Sequence, residues 1–112
     1  MTERAPMRLR LDRNNPGPTI PSALETYRAL RADGGEAGKR IKEVLERLRD
    51  DPGKVRGNSL RYRPNAWIVL VEMADGMTWW VIWRQTEPDT VDILRIGPQP
   101  GLDALAYSTE TH

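Results

Sequence analysis

Lys54, Arg56, Arg61 and Arg63 stand in a stretch, residues 54–71, that contains no acidic side chain, and Tyr62 lies between two of the arginines. Cations at this spacing with an aromatic ring among them can hold RNA phosphates and stack on a base. The same side chains can equally stay solvated on a loop and pair with Asp50 or Asp51. Arg84 and Arg95 are the only basic residues of the region that follows, 72–112. The chain has no cysteine, and its one histidine, His112, is the last residue. Disulfide frameworks, thiolate zinc sites, cysteine nucleophiles, His-based triads and multi-histidine metal sites are thereby excluded, so any catalysis draws on carboxylates, Arg, Lys, Tyr, Ser or Thr. The carboxylate pairs Asp50/Asp51 and Asp89/Asp92 fall at a helix end and a turn, where Asp has ordinary structural uses. No metal site and no cofactor is expected.

The net charge of +1, from 17 basic and 16 acidic residues, hides a polarity. Residues 1–53 hold 11 basic and 9 acidic groups, 54–71 hold four basic and none acidic, and 72–112 hold two basic and seven acidic. The central segment is thus +4 beside a carboxy-terminal part at −5. The first ten residues carry charges and proline where a signal peptide needs an apolar core, and uncharged runs stop well short of a membrane span. A cytoplasmic protein with no membrane association is expected.

The elements that position these residues follow from periodicity. Met7, Leu9 and Leu11 alternate with charged residues, as in a half-buried edge strand. Residues 14–21, dense in Pro, Gly and Asn, read as a linker. Ser22 and Glu25 form a capping box ahead of the stripe Leu24, Tyr27, Leu30, which predicts a helix over 22–32 ending at Gly34-Gly35. Ile41, Val44, Leu45 and Leu48 predict a second, strongly amphipathic helix over 36–49, closed by Asp50-Asp51-Pro52-Gly53. These two helices form an antiparallel hairpin. Residues 66–74, 77–85 and 91–96 read as three strands, the first two joined by a type I′ turn at Asp75-Gly76 and the last two by Glu87–Thr90. The expected fold is α+β: an edge strand and a two-helix antiparallel hairpin packed on an antiparallel meander, in one domain over 1–97 followed by a flexible tail over 98–112.

A two-residue Asp75-Gly76 loop pairs Trp67 with Arg84, Val69 with Ile82, Val71 with Trp80 and Met73 with Thr78. A four-residue Glu87–Thr90 loop sets Arg84 against Ile93 and Ile82 against Arg95. One face then carries Trp67, Val69, Val71, Met73, Thr78, Trp80, Ile82, Arg84, Val91, Ile93 and Arg95, and the other carries Ile68, Leu70, Glu72, Trp79, Val81, Trp83, Gln85, Asp92, Leu94 and Ile96. The second suits the helices. The first, apolar yet holding both arginines of the sheet, is either a binding surface or is covered by the amino-terminal segment or the tail, with Arg84 stacked on Trp67.

The succession of strand, two helices and meander resembles the RelE/ParE superfamily of toxins from type II toxin–antitoxin systems. The likeness is carried by residues 40–52, which look like that family's second helix with its closing Asp-Pro, by Ser59-Leu60, by Trp80-Val-Ile-Trp-Arg84, and by Thr90-Val-Asp-Ile-Leu-Arg-Ile-Gly97. It implies a bacterial toxin neutralised by a cognate antitoxin protein. RelE-like members cut mRNA in the ribosomal A site with basic and Tyr side chains on the sheet face, and ParE-like members inhibit gyrase. On that reading Arg84 and Arg95 stabilise phosphate charge in a metal-independent endoribonuclease, and Lys54, Arg56, Arg61, Arg63 and Tyr62 hold the RNA. Trp67, Val69, Val71 and Met73 stand where RelE-like nucleases keep Lys or Arg, and Trp80 where they keep Arg. These departures suit a protein contact through Trp67, Trp80 and Met73, and with it the alternative of a non-catalytic binding module.

Overall fold

The computed structural model describes residues 6–15 and 20–98. Their order is β1 (Arg8–Leu11), α1 (Ala23–Asp33), α2 (Glu36–Asp50), α3 (Pro52–Gly57), β2 (Leu60–Arg63), β3 (Ala66–Glu72), β4 (Thr78–Glu87) and β5 (Thr90–Pro98). The fold is α+β, with a five-stranded mixed sheet in the order β1-β5-β4-β3-β2. β1 runs parallel to β5 at one edge, and every other neighbour pair is antiparallel. The expected tail, 98–112, lies outside the described residues except for Pro98, which is the last residue of β5 and not part of a tail. No helix among the described residues is long and apolar enough to cross a membrane.

Both expected helices form, for the reasons their sequences supply. The Ser22 hydroxyl accepts from Glu25 N–H at 3.1 Å, and the Glu25 carboxylate accepts from Ser22 N–H, so two of the free donors of the first turn of α1 are satisfied. Gly34, at φ 71°, ends α1 in the left-handed conformation glycine adopts freely. α2 then crosses close: a Cβ on Gly38 would lie 2.6 Å from the Leu30 carbonyl oxygen. The stripe Ile41, Val44, Leu45 and Leu48 is buried against the sheet.

The basic segment of Lys54, Arg56, Arg61 and Arg63, read from the sequence as a loop, is instead a short helix and a strand. Pro52 breaks α2 but fits the first turn of a new helix, where its missing N–H costs nothing. The Asp51 carboxylate caps that helix by accepting from Lys54 N–H at 3.2 Å. β2 then pairs with β3, adding a fourth strand to the meander.

The strand faces also differ from expectation. Met73 N–H donates to Met77 O at 2.9 Å and Gly76 N–H to Met73 O at 3.1 Å, with Gly76 at φ 87°. The loop is therefore the three residues Ala74-Asp75-Gly76, a tight turn completed by a left-handed glycine, and not a two-residue type I′ turn. Trp67 pairs with Trp83, Val69 with Val81 and Val71 with Trp79. One extra loop residue turns the whole of β3 over. A bulge at Leu94 does the same to the first half of β5: Ile82 pairs with Arg95 as expected, but beyond it Trp83 pairs with Ile93 and Arg84 with Asp92 in place of Ile93, so Asp92, expected on the helix side, stands beside Arg84 on the other.

The face under the helices thus carries Val71, Met73, Val81, Trp83, Val91, Ile93 and Ile96, all buried together with Met7, Ala23 and the α2 stripe. A second apolar cluster, Ala66, Ile68, Trp80 and Ile82 flanked by Tyr62 and Leu94, occupies the opposite face. Trp67 and Met73 do not share a surface with Trp80. Met73 is core, and Trp67 is half-buried against it.

Candidate functional site

Arg84 and Arg95 lie on the helix-free face, as their positions relative to Trp80 and Ile82 require for side chains alternating along a strand. The Arg95 guanidinium sits over the Trp80 indole, 5.0 Å from the ring centroid. Burial pushes the Arg95 guanidinium down from its ordinary value, opposed by the nearby Tyr62. Arginine nonetheless remains charged under all conditions that keep a protein folded. Trp80 Nε1–H donates to Pro98 O at 2.6 Å, which fixes the indole plane across β5.

Arg84 stands opposite Asp92. Arg10, from β1, holds that carboxylate through two bonds, Nε to Oδ1 at 2.7 Å and Nη2 to Oδ2 at 3.2 Å. Thr86 Oγ1 donates to Asp92 Oδ2 at 2.9 Å and accepts from Arg10 Nη2. Burial alone would raise the Asp92 pKa, but the hydrogen bonds from Arg10 and Thr86 and the charges of Arg10 and Arg84 outweigh it and hold the carboxylate below its ordinary range. With Asp92 ionised and engaged by Arg10, Arg84 is left exposed at the rim of a cleft of about 860 Å³. Arg10, Arg13 and Arg28 line the same cleft, with Asp12 and Asp92 as its acids.

The central basic segment divides between the two sides of β2. Arg56, on α3, and Arg61, on β2, each lie 5.8 Å from the Trp67 ring centroid, on the helix side of the sheet. Arg56 also donates to Gln85 Oε1 at 3.1 Å, and Trp67 packs against Trp83 with centroids 6.5 Å apart. Tyr62 belongs to the opposite face, with the Arg63 guanidinium 5.0 Å from its ring centroid. Lys54 lines a separate groove of about 540 Å³ with Arg47, Val55 and Val69. The structure therefore brings Arg84, Arg95, Arg63 and Tyr62 to the helix-free side and its β2 margin, and leaves Arg56, Arg61 and Lys54 on the helix side.

Asp50 is bonded to Arg49, and Asp51 caps α3. Arg10, Thr86 and Asp92 were not singled out as a group by sequence reasoning. The period-two pattern of Met7, Leu9 and Leu11 does put Arg8 and Arg10 on the side away from the core. What brings Arg10 to Asp92 is the parallel pairing of the first strand with the last, which nothing local specifies.

No group of three or more His, Asp or Glu that could hold a metal ion occurs among the described residues. No family model, curated protein or solved structure matches the chain.

Proposed function

We propose that the chain is the toxin of a type II toxin–antitoxin pair, of RelE/ParE kind, and that it acts on ribosome-bound mRNA through the helix-free face of its sheet. The observation that supports this most is the company of Arg84 and Arg95. Both emerge from an antiparallel meander on the face opposite the one its helices bury, and the carboxylate opposite Arg84, that of Asp92, is held by Arg10. A face with two cations, one of them, Arg95, held on Trp80, and an acid engaged by Arg10 is suited to the charge that builds on a phosphate during cleavage, the main need of a nuclease working without metal.

Roles follow from placement. Arg84, exposed and opposite Asp92, supplies a cation to the reacting phosphate, and Arg95, held on Trp80, supplies a second. Tyr62 and Arg63 offer a ring and a charge at the β2 margin. Arg61, on the other side of the same strand, and Arg56 beyond it extend a basic track around that edge, so that a single strand of RNA crossing β2 meets cations on both sides.

Induced expression tests the reading. Growth should arrest, the arrest should be relieved by co-expressing the small open reading frame beside the gene, and mRNA should be cut within coding sequence only when ribosome-bound. Arrest with intact mRNA and continued translation assigns the target to replication, as for ParE-like toxins. Harmless expression at high level overturns the proposal.

A further inference from the structure

At the carboxy-terminal end of β1 the chain passes through Asp12, Arg13 and Asn14 toward α1, and the cleft of about 860 Å³ opens there, bounded by β1, the start of α1, β4 and β5. Its volume is that of a small-molecule site, about 300–1,000 Å³. Arg10, Arg13, Arg28 and Arg84 line it against Asp12 and Asp92, so four cations face two carboxylates and leave a charge of +2. The cations are unequally used. Arg10 is engaged by Asp92, whereas Arg13, Arg28 and Arg84 form no salt bridge or side-chain hydrogen bond among the described residues. Asp12 Oδ1 instead accepts the Asn14 N–H at 2.9 Å. The Leu24 and Glu25 N–H groups at the start of α1 are also taken, by Asp12 O and Ser22 Oγ, both at 3.1 Å, so the positive charge of the cleft is that of its arginines. Like charges gathered at one opening repel each other. These three exposed arginines come from three separate parts of the chain, the β1–α1 link, α1 and β4, and the fold collects them on one cleft with no acid of its own to pair them.

We propose that the cleft is a binding site for a phosphate monoester with an apolar or aromatic body, of the nucleoside monophosphate class. A phosphate monoester carries close to two negative charges at neutral pH, which matches the uncompensated charge of the cleft. Guanidinium forks bind its oxygens two at a time, a geometry that lysines do not offer. Leu9, Leu11, Leu24 and Leu94, all half-buried, line the rest of the cleft. A ligand that fills it therefore brings an apolar part as well as its charge. An inorganic anion leaves the leucines wet, and a carboxylate amphiphile satisfies only half of the charge. A nucleoside gives the body required, since the flat face of a base packs on aliphatic side chains and stacks on a guanidinium plane. The inference goes beyond action on mRNA and holds whatever the target of the protein. Arg84 alone belongs to both places, so a phosphate held in the cleft takes from the sheet face one of its two cations.

Calorimetric titration of the full chain with adenosine monophosphate, adenosine and inorganic phosphate tests the site. The monophosphate should bind at a single site, adenosine should give no measurable heat, and inorganic phosphate should bind more weakly than the monophosphate. Arg13→Ala and Arg28→Ala, both at exposed positions, should each weaken the monophosphate about tenfold or more, the worth of one charge-assisted hydrogen bond. Lys42→Ala, which removes the same charge from the exposed side of α2, should leave its affinity unchanged. No binding of the monophosphate at millimolar concentration overturns the proposal, as does an equal loss in all three variants, which would make the attraction one of overall charge. Adenosine binding as tightly as its monophosphate overturns the role of the arginines, and inorganic phosphate binding as tightly overturns the apolar body.

Discussion

Arg95 lies over Trp80, 5.0 Å from the ring centroid, whereas Arg84 on the same face is exposed and stands opposite Asp92 across the strands. The two arginines that the proposed chemistry treats alike therefore differ in what else they do. Arg95→Ala should lower stability by about 1 kcal/mol, the usual worth of a partly desolvated cation–π contact. Arg84→Ala should leave it unchanged within about 0.5 kcal/mol, as for an exposed surface position. Urea titrations of the two variants, followed by far-UV circular dichroism, check the contrast.

In the growth assay the order reverses in its meaning. Arg84→Ala should abolish arrest while the protein stays folded and abundant, so its effect reports on function alone. Arg84→Lys should restore part of the arrest, since it keeps the charge but not the planar fork. Full toxicity in a soluble Arg84→Ala variant would remove this residue from the proposed site.

Asp92 makes stability depend on pH in a definite sense. Its pKa is lowered in the folded state, so its contribution is fully present above the ordinary value, 3.8, and is lost as pH falls through the folded value. Asp92→Asn should therefore be less stable than the parent at neutral pH and should lose less stability on acidification. The gap between the two urea midpoints should narrow below pH 4. Parallel midpoints across that range would show that the Arg10 and Thr86 bonds contribute nothing to the fold.

The hairpin loop sets the face of β3, so its length is testable. Deleting Ala74 leaves the Asp75-Gly76 turn that the dipeptide by itself suggests. It should force Trp67, Val69, Val71 and Met73 out of the core, or strand them in a strained loop. The deletion variant should lose cooperative thermal unfolding. The glycine at the α1–α2 crossing is the second packing constraint. Gly38→Ala puts a methyl 2.6 Å from the Leu30 carbonyl and should cost about 1–3 kcal/mol, read as a lower urea midpoint.

That loop also shows where the sequence is legible and where it is not. The helices announce themselves because capping and periodicity act within a few residues: Ser22 with Glu25, and Ile41 through Leu48. The alternation in β4 is equally local, and Trp79, Val81 and Trp83 do face the helices while Trp80, Ile82 and Arg84 face away. The relation between strands is another matter. Asp-Gly is compatible with a two- or a three-residue loop, and the choice is made by which face of β3 packs better, with Val71 and Met73 inside. Leu94 gives no sign that it will bulge, since β5 is apolar on both sides. Pro52-Gly53 marks the end of α2 and conceals the start of α3. Of the candidate site, the alternation along β4 and the Ile82–Arg95 pair put Arg84 and Arg95 on one side of the sheet. The assembly of Arg10, Thr86 and Asp92 could not be read, because it joins the first strand to the last.

That parallel pairing of β1 with β5 has a kinetic consequence. Arg10 and Asp92 are 82 residues apart, and β1 finds its only strand neighbour in the last strand described. The helices and the β2 to β5 meander are built from near neighbours in the chain and can assemble as a unit, while β1 must close the largest loop in the molecule before any of its ladder bonds repay the entropy. On these grounds β1 should dock after the meander has formed, which a slower folding phase lost on Arg10→Ala would report. Until β1 docks, Asp92 lacks Arg10, the cleft beside Arg84 has no outer wall, and the charged side of the sheet is unfinished.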